Sequence, residues 1–276
     1  MGLHRACCCE VAGWSALYIG SVPGYEELIR RTLLFLDEID SVWGGAILKD
    51  GIDFSLIETT DLTLYSTIFI AMVGDLSQNQ LDCITAWIVG HPERRLVLLG
   101  EWSSTTGGGF YLTNKHLNEV LSELGCYTRF PCSYTLPGNP VDNSKYSTEH
   151  FVTDPLLLHY LTAGVWELGR DYVSCLWNWW LAPYAVPLFW VHETESVDWM
   201  KGHDPVLVVE EDLVNGSGLY VGGSIVVICD SSFILINDDI PPIDTMVTWG
   251  LSWDPDHHRN LQFVYNLLVN FRKVGT

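Results

Sequence analysis

Basic residues are scarce in this 276-residue chain: 14 Lys and Arg stand against 34 Asp and Glu, a formal charge of −20. Such a surface repels phosphate backbones and anionic lipid headgroups, which excludes nucleic acid and membrane surfaces as expected partners. No apolar stretch reaches the length of a membrane span, because Asp, Gly or Pro breaks each candidate. Met1 to Glu10 lacks the apolar core of a signal peptide. There is no C-x-x-C pair and no Cys/His set with zinc spacing, so the eight cysteines do not read as a metal cage. Cys7, Cys8 and Cys9 are adjacent and read as a thiol cluster rather than an acylation site. Cys83, Cys175 and Cys229 sit in apolar patterns typical of buried thiols, and Cys126 and Cys132 are spaced to pair across a short loop. The expected setting is the cytoplasm, or a particle such as a virion assembled there.

What the chain does have is a core: 48% of its residues are apolar, which is ample for one large α/β domain. Trp14 to Gly20 reads as a strand closing on a Pro-Gly turn, and Tyr25 to Ile39 carries Leu28, Ile29, Leu33, Leu36 and Ile39 at helical spacing. Asp53 to Glu58 alternates like a short strand. Ser66 to Val73 and Arg95 to Gly100 are continuous apolar runs, as expected of parallel strands buried on both faces. Between them, Ser77 is placed to cap a helix whose stripe is Leu81, Ile84, Trp87 and Ile88. Asn114 to Leu124 predicts a helix stopped by Gly125. Val206 to Glu210 and the glycine-led run Ser224 to Cys229 predict further strands, and Asn260 to Phe271 a closing helix.

From Cys126 to Asp204 the pattern breaks. Seven prolines through Pro205 and six tryptophans, including Trp177, Trp179, Trp180 and Trp190, indicate irregular strands and loops wrapped on the sheet. This stretch, 126–204, reads as an elaboration of a single domain spanning 1–276. Most of its tryptophans are expected to pack; the others would offer a docking face.

In an open α/β sheet, ligands sit beyond the carboxyl ends of the strands. Two segments fall there: Glu101 to Gly109, a small-residue loop, and Asp230-Ser231, which follows the glycine-led strand. With His257 near the start of the last helix, Glu101, Ser103, Asp230, Ser231 and His257 are the candidate ligand or pseudo-active-site positions. The Gly107-Gly108-Gly109 triplet lacks a following Lys or a G-x-G-x-x-G frame and is a weak phosphate signal.

Several motifs in order resemble the class I glutamine amidotransferase-like superfamily. They are Thr67-Ile68-Phe69-Ile70; Leu76-Ser77-x-x-Gln80; Leu96-Val97-Leu98-Leu99-Gly100-Glu101; Leu117-Asn118-x-x-Leu121-x-x-Leu124-Gly125; Asp154-Pro155-Leu156 through Leu161-Thr162-Ala163-Gly164-Val165; Ile225 to Phe233; and the Asn260-led helix. The similarity is strongest to its non-catalytic branch, seen in ThuA-like proteins and in auxiliary components of gliding-motility transporters, and it runs from about Trp14 to Phe271. It implies a flavodoxin-like three-layer sandwich with a mostly parallel central sheet. Catalytic members carry a nucleophilic Cys on a sharp turn where this chain has Gly100-Glu101-Trp102-Ser103, so the resemblance implies no glutaminase or protease chemistry.

Three other chemistries draw on these residue types. Ser103 or Ser104 with His257 or His258 and Asp230 would compose a Ser-His-Asp set if the loops converge, but no G-x-S-x-G elbow is present. Asp254, Asp256, His257 and His258 with Asp230, Asp238 or Asp239 offer metal ligands, although adjacent histidines at a helix start point apart; helix capping by Asp256 explains them better. Asp204, Glu210, Glu211 and Asp212 offer paired carboxylates for glycoside hydrolysis, in a chain where carboxylates abound. The expectation is therefore a non-catalytic structural or binding module of a protein assembly, with no catalytic residue, cofactor or metal assigned. The alternative is a hydrolase acting on a small-molecule or carbohydrate substrate at the strand tips.

Overall fold

The computed structural model describes residues 13–20, 27–71, 73–100, 111–130, 150–152, 159–165, 167–169, 176–182, 184–191, 205–211, 222–229 and 255–270. Along them run β1 (Trp14–Gly20), α1 (Glu27–Trp43), β2 (Ala46–Asp53), β3 (Thr67–Ala71), α2 (Gln78–Ile88), β4 (Arg95–Leu99) and α3 (Tyr111–Glu123). There follow β5 (His150–Val152), β6 (Glu167–Gly169), β7 (Ala185–Val191), β8 (Pro205–Glu211), β9 (Ser224–Ile228) and α4 (Pro255–Val269). One sheet takes all nine strands in the order β2-β1-β3-β4-β9-β8-β7-β5-β6. From β2 to β9 every pairing is parallel. Beyond β9 the pairings are antiparallel, so β7 and β6 again point the way of the parallel set. The α/β sheet expected from the buried apolar runs is the one observed, with Phe69, Val97 and Val226 in register across β3, β4 and β9.

The period of two along a strand divides the apolar residues between two cores. Tyr18, Phe69, Val97, Leu99, Val226 and Ile228 face α1 and α4, with Phe35, Ile39, Phe263 and Leu267 against them. Ile19, Ile68, Ile70, Leu98 and Val227 face the other way, onto Ile84 and Trp87 of α2 and Leu117 and Leu121 of α3. Strands apolar at every position thus build three layers.

Local chemistry sets the element ends. Ser77 caps α2 in a reciprocal box: its Oγ accepts from Gln80 N at 3.2 Å, and Gln80 Oε1 accepts from Ser77 N at 2.8 Å. Gly125, at φ +74°, ends α3 in a Schellman turn, Cys126 N donating to Leu121 O and Gly125 N to Ser122 O. Gly222, at φ +95°, leaves room for the backbone of His91, whose nitrogen lies 2.5 Å from where a Cβ would sit.

Helix α3 opens at Tyr111 rather than Asn114 and α1 runs on to Trp43, and two further differences have a local cause. Asp53 to Glu58 is not a strand: Asp53 Oδ1 accepts from Ser55 N at 2.8 Å and starts a 3-10 turn over Phe54–Thr59. This Asx bond competes with ladder pairing. The strand lies just upstream as β2, an edge strand whose half-exposed face tolerates Lys49 and Asp50. Pro255, not Asn260, opens α4, so Asp256 falls within the first turn instead of capping it.

Arg95, at the start of β4, is fully buried. Its guanidinium donates to Ser224 Oγ on β9 at 3.0 Å, to the Tyr160 hydroxyl at 3.3 Å, to Leu267 O, and to Asn270 O at 2.8 Å. The two carbonyls belong to the C-terminal end of α4, where the helix dipole favours a cation. Replacing Arg95 with Met removes the donors and strands those acceptors, and urea unfolding should show a loss of about 3 kcal/mol. Arg30→Ala, at an exposed i,i+3 pair with Glu27, should cost less than about 0.5 kcal/mol.

Candidate functional site

The carboxyl edge of the parallel half is where this strand order directs a site. Because Leu99 and Ile228 are in register, Gly100 and Cys229 leave the sheet side by side, immediately before Glu101 and Asp230. Gly100 N donates to Ile228 O at 2.8 Å, and Cys229 N to Val206 O at 3.0 Å. Glu101, Ser103, Ser104, the Gly107-Gly108-Gly109 loop, Asp230, Ser231, Asp238, Asp239 and Asp254 lie outside the described residues. His257 and His258 fall in the first turn of α4.

Gly100 is a packing requirement. A Cβ there would lie 2.3 Å from the Phe130 ring and 2.9 Å from Asn114 Oδ1. Phe130 is held by Asn118, whose carboxamide donates to Phe130 O and accepts from Phe130 N, both at 2.9 Å. Around this tip the beginning of α3 buries polar side chains, Thr113, Asn114 and His116. Buried polar groups are costly unless hydrogen-bonded, and Asn114 is not without a partner.

One cluster here escaped the sequence reading. On α3, His116 Nδ1 lies 3.1 Å from Glu119 Oε2, and 3.8 Å from Asp75 Oδ1 in the loop that follows β3. The i,i+3 spacing of His116 and Glu119 was the available signal. Asp75 is far away in sequence, and only the adjacency of β3 and β4 brings it in.

Of the carboxylates offered for glycoside hydrolysis, Glu210 and Glu211 follow one another at the end of β8. Glu210 is buried on β8, where its Oε1 accepts from Thr128 N at 2.8 Å; Asp204 and Asp212 lie outside the described residues. Cys126 is a free, buried thiol rather than half of a disulfide with Cys132. Burial first, and then the neighbouring Glu210 carboxylate, pushes its pKa well above the ordinary thiol value. Cys229 is a buried thiol, as expected, whereas Cys83 is only partly buried. Of the described tryptophans in the irregular stretch, Trp177, Trp179 and Trp190 are partly buried and Trp180 is exposed.

No protein-family model matches the chain. None of the curated proteins matches it either. Among solved structures, it is similar to a ThuA-like protein from Bacteroides uniformis, with a TM-score of 0.53 at 11% identity over 96% of this chain and 94% of that one. The chain shares the fold of that ThuA-like protein. At such identity the ThuA-like match carries the architecture and nothing of the chemistry. A β-galactosidase from Rahnella sp. R3 overlaps at a TM-score of 0.46 and 13% identity, covering 93% of this chain and 31% of that one. A β-galactosidase from Bacillus circulans overlaps at 0.41 and 12%, covering 80% and 29%. The chain thus spans less than a third of either enzyme, and neither overlap bears on its substrate.

Two outcomes follow from the site's packing. Gly100→Ala should lower stability by about 2 kcal/mol in denaturant melts, since the Phe130 ring and Asn114 have to shift. Cys126 should resist a thiol reagent in the native protein at pH 8 and react on unfolding. Its proton is held more tightly folded than unfolded, so the stability it contributes is complete below the unfolded thiol pKa of about 8.5 and declines as pH rises above it. Comparing melts of wild type and Cys126→Ala from pH 7 to 10 checks the sign: the variant should lose less stability over that range.

Proposed function

We propose that this chain is a non-catalytic binding module, a protein subunit of a larger assembly, akin to the non-enzymatic ThuA-like and gliding-motility auxiliary proteins that its motifs resemble. On this reading 126–204 is a docking elaboration of one domain. The observation that carries it is an exposed apolar ledge beside the antiparallel half of the sheet. Tyr127, Trp180, Leu181 and Tyr184 are each at least half exposed. They come from two segments joined by the Arg129–Trp177 bridge, whose backbone groups exchange bonds at 2.8 and 2.9 Å. Trp179 packs into the core and meets Trp180 edge-on at 6.2 Å, so the ledge is anchored from below. Aromatic side chains of this kind anchor protein interfaces. The occupant is a protein subunit with a basic surface, because a chain of net charge −20 repels its own copies and attracts cations.

A second reading, hydrolysis at the strand tips, is favoured by the buried polar side chains Thr113, Asn114 and His116 at the start of α3. The two readings separate by one experiment. A photo-crosslinking residue placed at 180 or 184 in the native host should capture one basic subunit, identified by mass spectrometry. The same residue at the exposed positions 42 and 64 should not, and Trp180→Ser with Tyr184→Ser should abolish co-purification. Equal capture at all four positions would overturn the docking role. Turnover of chromogenic glycosides or esters by the purified chain, lost in Asn114→Ala, would replace it with the hydrolase.

A further inference from the structure

We propose that Asp75, His116 and Glu119 form a divalent-cation site at the carboxyl edge of the sheet, whether or not the docking role above holds. Nδ1 of His116 and one oxygen from each carboxylate lie within 4.8 Å of one another, with the imidazole 3.1 Å from Glu119 and 3.8 Å from Asp75. An ion held at about 2.0–2.2 Å by imidazole nitrogen and carboxylate oxygen places its ligand atoms about 3 Å apart in cis and about 4.3 Å apart in trans. The His116–Glu119 separation matches the cis value and the His116–Asp75 separation lies between the two, so an ion is reached by side-chain rotation, chiefly of the exposed Asp75.

Ion pairing within the cluster accounts for less of it. An imidazole presents one Nδ1 proton, which Glu119 accepts in the shorter contact, and a second carboxylate converging on the same nitrogen adds like-charge repulsion. Lys115 Nζ neutralises part of this, but from the far side, 3.6 Å from the other Glu119 oxygen. In a chain already at −20, a cation between the carboxylates removes the repulsion outright. The site is also built: His116 is buried on α3, Glu119 follows one helical turn later, and the exposed Asp75 arrives from another element, leaving the solvent side open for water ligands. One imidazole with two carboxylates suits Mn²⁺ and Zn²⁺ among the common divalent ions.

Mn²⁺ alone is the probe, since the Cys7-Cys8-Cys9 thiols compete for Zn²⁺. Titration of the full chain, followed by EPR, should show one saturable site whose pulsed spectrum carries the nitrogen modulation of a bound imidazole. Asp75→Asn, at an exposed side chain with little risk to folding, should weaken binding about tenfold or more. His116→Gln should abolish the nitrogen signal, and Asp82→Asn on α2 should leave both readouts unchanged. If His116→Gln fails to fold, the Asp75→Asn titration decides. Wild-type affinity in Asp75→Asn, binding without nitrogen modulation, or no saturable site would overturn the proposal.

Discussion

A buried cation ties the centre of this sheet, β4 and β9, to its closing helix. A guanidinium in a protein interior is tolerable only when its donors are met. Arg95 meets them with a strand hydroxyl, a tyrosine hydroxyl and two carbonyls at the C-terminal end of α4. The four partners come from three parts of the chain, so satisfying this one charge positions β9, the turn at Tyr160 and α4 together. Asn266 reinforces the same junction by donating to Leu161 O and Ala163 O, both at 2.9 Å. With α4 docked, the face made by Tyr18, Phe69, Val97 and Val226 is covered by two helices and the three-layer order is complete.

The strand order then decides what can meet at the carboxyl edge. β4 and β9 are remote in sequence but adjacent in the sheet, which sets Gly100 beside Cys229. β3 and β4 are adjacent too, which brings the loop carrying Asp75 against the helix carrying His116. The opposite edge of β9 is extended by antiparallel strands, and there the exposed aromatic ledge belongs to a different face of chemistry from the strand tips. Exposed aromatic side chains and a polar rim thus occupy separate parts of one sheet.

The likeness to a ThuA-like protein concerns how the chain is folded, and folds of this kind host both enzymes and binding proteins. Residues that look reactive by type are instead absorbed by structure. Glu210 satisfies the Thr128 amide in the core, and Cys126 sits beside it as a neutral thiol. What distinguishes one use of the fold from another is which polar groups stay available at the rim.

The sequence by itself determined the interior strands of the parallel half, because strands buried on both faces must be apolar throughout, and Ile68 to Ala71, Leu96 to Leu99 and Ile225 to Ile228 are. It likewise determined the start of α2 and the end of α3, where Ser77 with Gln80 and Gly125 act through bonds no more than a few residues long. It misassigned β2, since an edge strand need not be apolar and an Asx turn can imitate alternation. Tertiary structure alone decided the burial of Arg95, the loss of Glu210 to the core, and the meeting of Asp75 with His116. Each depends on which strands become neighbours, and that is a property of long-range pairing rather than of any local run of residues.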